Sequence, residues 1–243
     1  MITFYAVPRR FEPPFDTIQH NAVLSWKALG QGAQVVLLGD AETRLWADTL
    51  GVEFAPADMD AEGIPFVRAA IEMGEAMARY ELRCFLNADN IAMPGFLSTA
   101  YELVRALPQF VAIGRRVDMA VHGRLARFDG PFEARVRAEG RPGGSTGMDF
   151  FLYRGVALAE DMPAGFRIGR DFYDNWLVRH WALSSVPLVD VSGRMTIVHQ
   201  DHPRKPTATK AQMQRNRDYA DLDGRYGFER ATWRLGAQGV KRA

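Results

Sequence analysis

An α/β fold with a doubly wound, mostly parallel central sheet flanked by helices follows from three features of the chain. Short β-prone runs alternate with amphipathic, helix-length segments from residue 3 to residue 113, joined by short connections. The stretch Gln34 to Leu38 reads as a continuous apolar strand, the kind that parallel sheets bury on both faces. With 243 residues, 47% of them hydrophobic, the chain can fill one large core of this type.

Thr3 to Val7 makes the first strand, stopped by Pro8. The loop Arg9 to Phe15 is basic, aromatic and stiffened by Pro13 and Pro14. Asp16 or Thr17 then caps a helix that carries Ile18, Ala22, Trp26 and Leu29 at helical spacing, with Gly30 and Gly32 ending it. Gly39-Asp40 closes the second strand and leaves a carboxylate at its carboxyl end. Thr43 to Leu50 predicts a short helix, Val52 to Ala55 a third strand and Pro56 to Gly63 an acidic loop. Pro65 to Tyr80 is amphipathic through Phe66, Ala69, Ala70, Met73 and Met77. Leu82 to Leu86 is the fourth strand and Pro94 to Leu107 the helix after it, with proline where a missing N–H is tolerated. Phe110 to Ile113 is the fifth, leading into Gly114-Arg115-Arg116-Val117-Asp118.

The pattern breaks from His122 to Gly144, where arginines and acids alternate with weak apolar periodicity. Either a solvated connector or a mobile segment beside an active site fits that composition. Order returns with Ser145-Thr146-Gly147-Met148-Asp149 and the strand Phe150 to Tyr153. Asp171 to Ser184 reads as a helix with Asp171 at its N-cap. Val186 to Val191 and Met195 to Val198 suggest a hairpin about Gly193. From Pro206 the chain is basic and helical through Tyr219, while Tyr226, Phe228 and Trp233 predict that the tail docks on the body.

A formal charge of +1 gives no support for nucleic-acid or membrane-surface binding. Cys84 is the single cysteine and lies in an apolar strand, so it reads as a buried thiol in a chain without an internal disulfide, as in a reducing compartment. The start lacks the pattern of a signal peptide, and no run approaches the ~18 apolar residues of a spanning helix; a cytoplasmic protein is expected. Gly-x-Gly-x-x-Gly, Walker and Gly-x-Ser-x-Gly motifs are absent, which weakens dehydrogenase, kinase, GTPase and serine-hydrolase readings.

Oxygen donors crowd Asn87-Ala88-Asp89-Asn90 at the exit of the fourth strand, where open α/β sheets bind ligands and where a hard divalent cation and a diphosphate fit. His199 and His202 flank Gln200-Asp201 and suit a metal or a phosphate. Asp174, beside Tyr173 and Trp176, can act as a general base for a hydroxyl. Arg9, Arg10, Arg115 and Arg116 stand at predicted strand ends, where they could face phosphate. Each has an ordinary reading too: a loop or cap carboxylate, a solvated histidine turn, a first-turn acid complementing the helix dipole, and surface arginines.

Taken together, Gln19-His20-Asn21-Ala22-Val23-Leu24-Ser25-Trp26, Leu37-Leu38-Gly39-Asp40, Asn87-Ala88-Asp89-Asn90 and Gly114-Arg115-Arg116 resemble nucleotide-diphospho-sugar transferases of the GT-A fold. Gly147-Met148-Asp149-Phe150-Phe151, Tyr173-Asp174-Asn175-Trp176-Leu177 and His199-Gln200-Asp201-His202 extend the likeness over residues 1–205. The resemblance implies a nucleotide-binding half (1–118), an acceptor-binding half (145–205) and a basic, partly helical extension (206–243). Asn87-Ala88-Asp89 matches the family's Asp-x-Asp motif with Asn in the first place, so Asp89 would hold Mn²⁺ or Mg²⁺ on the diphosphate, with His199 or His202 as a further ligand. Pro8, Arg9 and Phe11 would form the nucleobase pocket, Asp40 would lie by base or ribose, Asn87 by ribose or a bound water, and Arg115 by phosphate.

By the same resemblance Asp174 is the base of an inverting transfer, and Asp149 its competitor or a ligand of donor sugar and acceptor hydroxyls. The implied donor is a nucleoside diphosphate sugar; the implied acceptor is a hydroxyl-bearing glycan or glycolipid in surface polysaccharide synthesis. The basic stretch after Pro203 can cover the site, touch a membrane-bound acceptor or join a dimer, with a solvated helix as its ordinary reading. A retaining transferase, and a nucleotide-sugar- or glycan-binding protein without turnover, stay open as alternatives. A nucleotidyltransferase is disfavoured because its glycine-rich basic loop is missing after the first strand.

Overall fold

The computed structural model describes residues 1–203 and 208–243, so the expected boundary at residues 205 and 206 lies outside the described residues. The chain opens with β1 (Ile2–Ala6), α1 (Phe15–Ala28), β2 (Ala33–Gly39), α2 (Ala41–Leu50), β3 (Glu53–Pro56), α3 (Val67–Met77) and β4 (Arg83–Leu86). These four strands are parallel, in the spatial order β4-β1-β2-β3. Successive side chains of a strand point to opposite faces. Phe4, Leu37 and Cys84 therefore enter one core with Trp26 of α1, while Tyr5, Val36 and Phe85 enter the other with Ile71 of α3. Burial on both faces also pushes the Cys84 thiol well up, as expected of a structural cysteine. Gly74 lets α3 approach the sheet, since a Cβ there would collide with the Tyr5 ring.

The chain continues with β5 (Asn90–Ala92), α4 (Phe96–Ala106), β6 (Phe110–Ile113), β7 (Val117–Met119), α5 (Pro131–Glu139), β8 (Arg141–Pro142) and β9 (Phe150–Arg154). It ends with α6 (Tyr173–Leu183), β10 (Leu188–Asp190), β11 (Ile197–Gln200), α7 (Lys210–Ala220), β12 (Trp233–Gly236) and β13 (Gly239–Arg242). The main sheet has nine strands in the order β13-β12-β10-β6-β9-β4-β1-β2-β3. β9 runs antiparallel between β4 and β6, and β13 antiparallel on β12; the other strands share one direction. A second sheet, β5-β11-β7-β8, stands beside it. No helix among the described residues is long and apolar enough to cross a membrane.

Several local expectations are corrected. The hairpin about Gly193 does not form. The chain does turn there, but Leu188 and Val189 bury opposite faces of β10 in the main sheet, while β11 joins the second sheet between β5 and β7. The segment from His122 to Gly144 is more than a connector. Phe128, Phe132 and Val136 recur at helical spacing and close a third apolar cluster with Ile91, Met119 and Val198 of the second sheet. α1 begins at Phe15 without a side-chain cap, because the N–H groups of Phe15 and Asp16 are taken by the Glu12 carbonyl. Asp171 does not cap α6 either: Phe172 occupies that place at φ +81°, and Asp171 pairs with Arg225 at 2.8 Å. The tail docks as expected, Tyr226 and Phe228 on one core and Trp233 on the other, and it also adds β12 and β13 to the sheet.

Candidate active site

Reversal of β9 builds the site. The carboxyl ends of β1, β2 and β4 share one rim of the sheet, and an antiparallel neighbour brings its start to that rim. Leu86 at the end of β4 pairs with Phe150 at the start of β9, so Asp149 meets Asn87. The Asn87 N–H donates to the Asp149 carbonyl at 2.9 Å, and Asn87 Nδ2 to Asp149 Oδ1 at 3.0 Å. Met148, one residue earlier, donates its N–H to Asp174 Oδ2 at 3.2 Å, which holds the first turn of α6 against the same rim.

The second sheet brings the histidines in by register. β11 pairs antiparallel with β5, His199 opposite Asn90, and parallel with β7, His199 opposite Asp118. Gln200, fully buried, fixes the turn: its Nε2 donates to the carbonyls of Ile18 (2.8 Å) and Asp89 (3.2 Å), and its Oε1 accepts from Asn21 (3.0 Å). Asp89 Oδ2 then lies 3.4 Å from His202 Nε2 and 3.6 Å from His199 Nε2, while its Oδ1 accepts from Asn90 Nδ2 at 2.9 Å.

The charges around Asp89 are balanced by a central arginine. Arg116 Nη1 lies 2.6 Å from Asp149 Oδ2, and its Nε 2.7 Å from Asp118 Oδ1. Burial pushes the Asp89 carboxyl up, but the bond from His202 and the charges of His199, His202 and Arg116 hold it below the ordinary aspartate value. Asp149 goes the other way: burial outweighs Arg116 and raises it. Burial also carries Asp174 up to about 6, against backbone N–H bonds from Met148 and Asn175. His202 is raised by its bond to Asp89, with burial opposing. The rim thus holds one carboxylate kept ionised and one whose proton is exchangeable near neutrality.

One carboxylate and two imidazoles facing one point form a donor set that fits a divalent cation, their ligand atoms lying within 4.8 Å of one another. Asp118 Oδ1 lies 3.2 Å from His199 Nδ1 on the other side of that ring, an ion-pair distance without a hydrogen bond between the two atoms. Asp118, His199 and Asp201 make a second group of donors, but Asp201 is engaged by Arg141 at 2.5 Å.

Two adjoining cavities occupy the rim. One, about 490 Å³, is lined by Pro8, Arg9, Phe11, Asp40 and the 62–65 loop. The other, about 340 Å³, is lined by Asn87, Asp89, Asp149, Asp174 and His202. Val7, Arg9, Ile168, Gly169 and Arg170 line both. The expected base-pocket residues and the expected chemical residues thus fall into adjacent chambers, with His199 behind Asp89. Asp40 also caps α2, its Oδ1 accepting from the Thr43 N–H at 3.0 Å, and that bond lowers its pKa. Arg115 is elsewhere. It lines a separate hollow with Asp190 and Ser192, because neighbouring residues of an extended segment point opposite ways and Arg116 takes the inward place. Sequence reasoning placed no role on Asp118 or Arg170; Asp118 could have been found from its two-residue spacing after Arg116, whereas nothing in the sequence marks Arg170.

This arrangement is a GT-A fold, the architecture of nucleotide-diphospho-sugar transferases. No protein-family model and no curated protein matches the chain. Among solved structures it is similar to S. aureus TarS 1-349 in complex with UDP-GlcNAc, at 12% identity and a TM-score of 0.55, covering 90% of this chain and 65% of that one. It is also similar to glucosyl-3-phosphoglycerate synthase from Mycobacterium tuberculosis in complex with Mg²⁺ and UDP, at 15% identity and a TM-score of 0.54, covering 92% of this chain and 80% of that one. At such identities the likeness establishes the fold, and the chain spans about two thirds of the TarS fragment.

Proposed function

We propose that this protein transfers a sugar from a nucleoside diphosphate sugar to an acceptor hydroxyl with inversion at the anomeric carbon. The observation that carries the reading is the pairing of unlike carboxylates in one chamber: Asp89, held ionised beside two imidazoles, and Asp174, raised to about 6. Asp174 takes the proton of the acceptor hydroxyl; the hydroxyl oxygen attacks the anomeric carbon, whose bond to the diphosphate oxygen breaks. Asp89, His199 and His202 would hold Mn²⁺ or Mg²⁺, which when bound neutralises the departing diphosphate. Asp149, fixed by Arg116 and Asn87, faces the donor sugar or acceptor hydroxyls. Pro8, Arg9, Phe11 and Asp40 receive the nucleoside, the half spanning residues 1–118 being given to the donor and 145–205 to the acceptor. Fold likeness to proteins solved with UDP-GlcNAc and with UDP and Mg²⁺ supports this reading. The test is release of nucleoside diphosphate from a panel of nucleotide sugars with mixed glycan and glycolipid acceptors, followed by NMR of the product anomer. A retained configuration refutes the role of Asp174, and no release from any donor refutes transfer.

A further inference from the structure

The wall between the two chambers holds a cation with no anion of its own. Arg170 is 9% exposed and lines both cavities. Among the described residues its guanidinium is met by neutral oxygens only: Nη1 by the carbonyls of Ile168 (3.5 Å) and Gly169 (3.3 Å), Nη2 by Gln212 Oε1 (3.1 Å). Its Nε is buried without a hydrogen-bond partner. No carboxylate among the described residues forms an ion pair with it. Asp60 and Glu62, the acids whose field reaches it, are engaged by Arg167 and by Gln212 and Arg215, while Arg215 and Arg9 repel it. Burying a charge on such terms is costly, and unpaired buried polar groups in native proteins call for a reason.

The surroundings fix this side chain in place. Gly169 at φ +70° and Phe172 at φ +81° shape its loop, and the Phe172 ring lies beneath Arg217 and Arg225 at 5.1 and 4.9 Å. Gln212 holds it from α7; its Oε1 also accepts from the Thr209 N–H at 3.0 Å, and its Nε2 donates to Glu62. A donor group so placed loses little freedom when it binds.

We infer that Arg170 is the anion ligand at the junction of the chambers and binds the phosphates of the donor nucleotide, with Gln212 as its positioning residue. This rests on the proposed reading of the cleft as a nucleotide-sugar site. A nucleoside in the first chamber and a sugar near Asp89 and Asp174 in the second put the linking diphosphate between them, where Arg170 lies.

The test is calorimetry with UDP, GDP, ADP, CDP and TDP, their nucleosides and inorganic pyrophosphate, each with Mg²⁺ and with EDTA. Arg170→Met is expected to weaken the bound nucleoside diphosphate and pyrophosphate about 10- to 100-fold in both buffers, leaving nucleoside affinity unchanged. Its ligand-free melting temperature should stay level or rise, which an arginine kept only to hold the loop would not allow. Gln212→Leu should give a smaller loss in the same direction. Diphosphate binding as in wild type by Arg170→Met overturns the inference and leaves the nucleotide site standing; a wild-type protein that binds no nucleoside diphosphate overturns both. If Arg170→Met fails to fold, Gln212→Leu decides, and unchanged diphosphate affinity there overturns the inference.

Discussion

Replacing Asp174 by Asn should move stability and activity in opposite directions. Burial raises this carboxyl from the ordinary 3.8 to about 6, although the N–H groups of Met148 and Asn175 pull it down. A folded pKa above the unfolded one means that the favourable contribution is complete below pH 4 and is lost as pH rises through about 6. The full difference corresponds to about 3 kcal/mol, and the opening of the chamber to solvent reduces it to about 1–3 kcal/mol. Asparagine keeps a carbonyl for the Met148 N–H at 3.2 Å and removes the charge. At pH 7.5 Asp174→Asn should therefore melt about 3–9 °C above wild type, and the gap should shrink to about a third of that by pH 4.5. Transfer should fall by about two to four orders of magnitude. The wild-type rate should fall about tenfold from its plateau by pH 5 as the base takes up its proton. Scanning calorimetry and a nucleotide-release assay over pH 4.5–8 measure both. A variant that melts lower than wild type at pH 7.5 refutes the electrostatic argument, and one that still transfers sugar refutes the chemical role.

Other expectations concern the metal group and the packing. Mn²⁺ at about 100 times its dissociation constant should stabilise wild type by about 2.7 kcal/mol, and chelation should reverse this. Asp89→Ala and His202→Ala should abolish that shift in a melting assay, and in wild type it should shrink as pH falls and the raised His202 takes a proton. Gln200→Leu removes the bonds to Asn21, Ile18 and Asp89 from a fully buried position; urea titration should show a loss of about 2–4 kcal/mol. Gly74→Ala drives a Cβ into the Tyr5 ring, which Tyr153 holds through a 2.7 Å bond between the two hydroxyls. The same titration should register a cost of about 1–3 kcal/mol.

What the sequence conveyed, and what it did not, divides along physical lines. β1, β2 and β4 were legible because alternate residues such as Phe4 and Tyr5 feed two different cores, and that doubling yields unbroken apolar runs. Asp89, Asp149, Asp174 and His202 were gathered as a set by the family resemblance of their short motifs, since their ordinary readings as cap, loop and turn residues stay open in the sequence alone; all four line one chamber. Pairing was not legible. Leu188–Val189 and Ile197–Val198 are equally strand-like whether they form a hairpin or join separate sheets, since the hydrogen-bonding edge leaves no mark on side-chain composition. α5 was readable in principle from Phe132 and Val136, but the surrounding arginines dilute the apolar face. Choosing Arg116 over Arg115 needs the orientation of a two-residue step, and finding Arg170 needs the fold itself.

The placement of β9 has a consequence for engineering. Among the described residues β6 pairs with β9 and β10 alone, so a protein cut after residue 118 would leave it severed from β1–β4. Chimeras joined at that point would tear the sheet down its middle. A workable splice must carry the Leu86–Phe150 seam intact, because a slip of one residue along it would turn Asp149 away from Arg116 and Asn87.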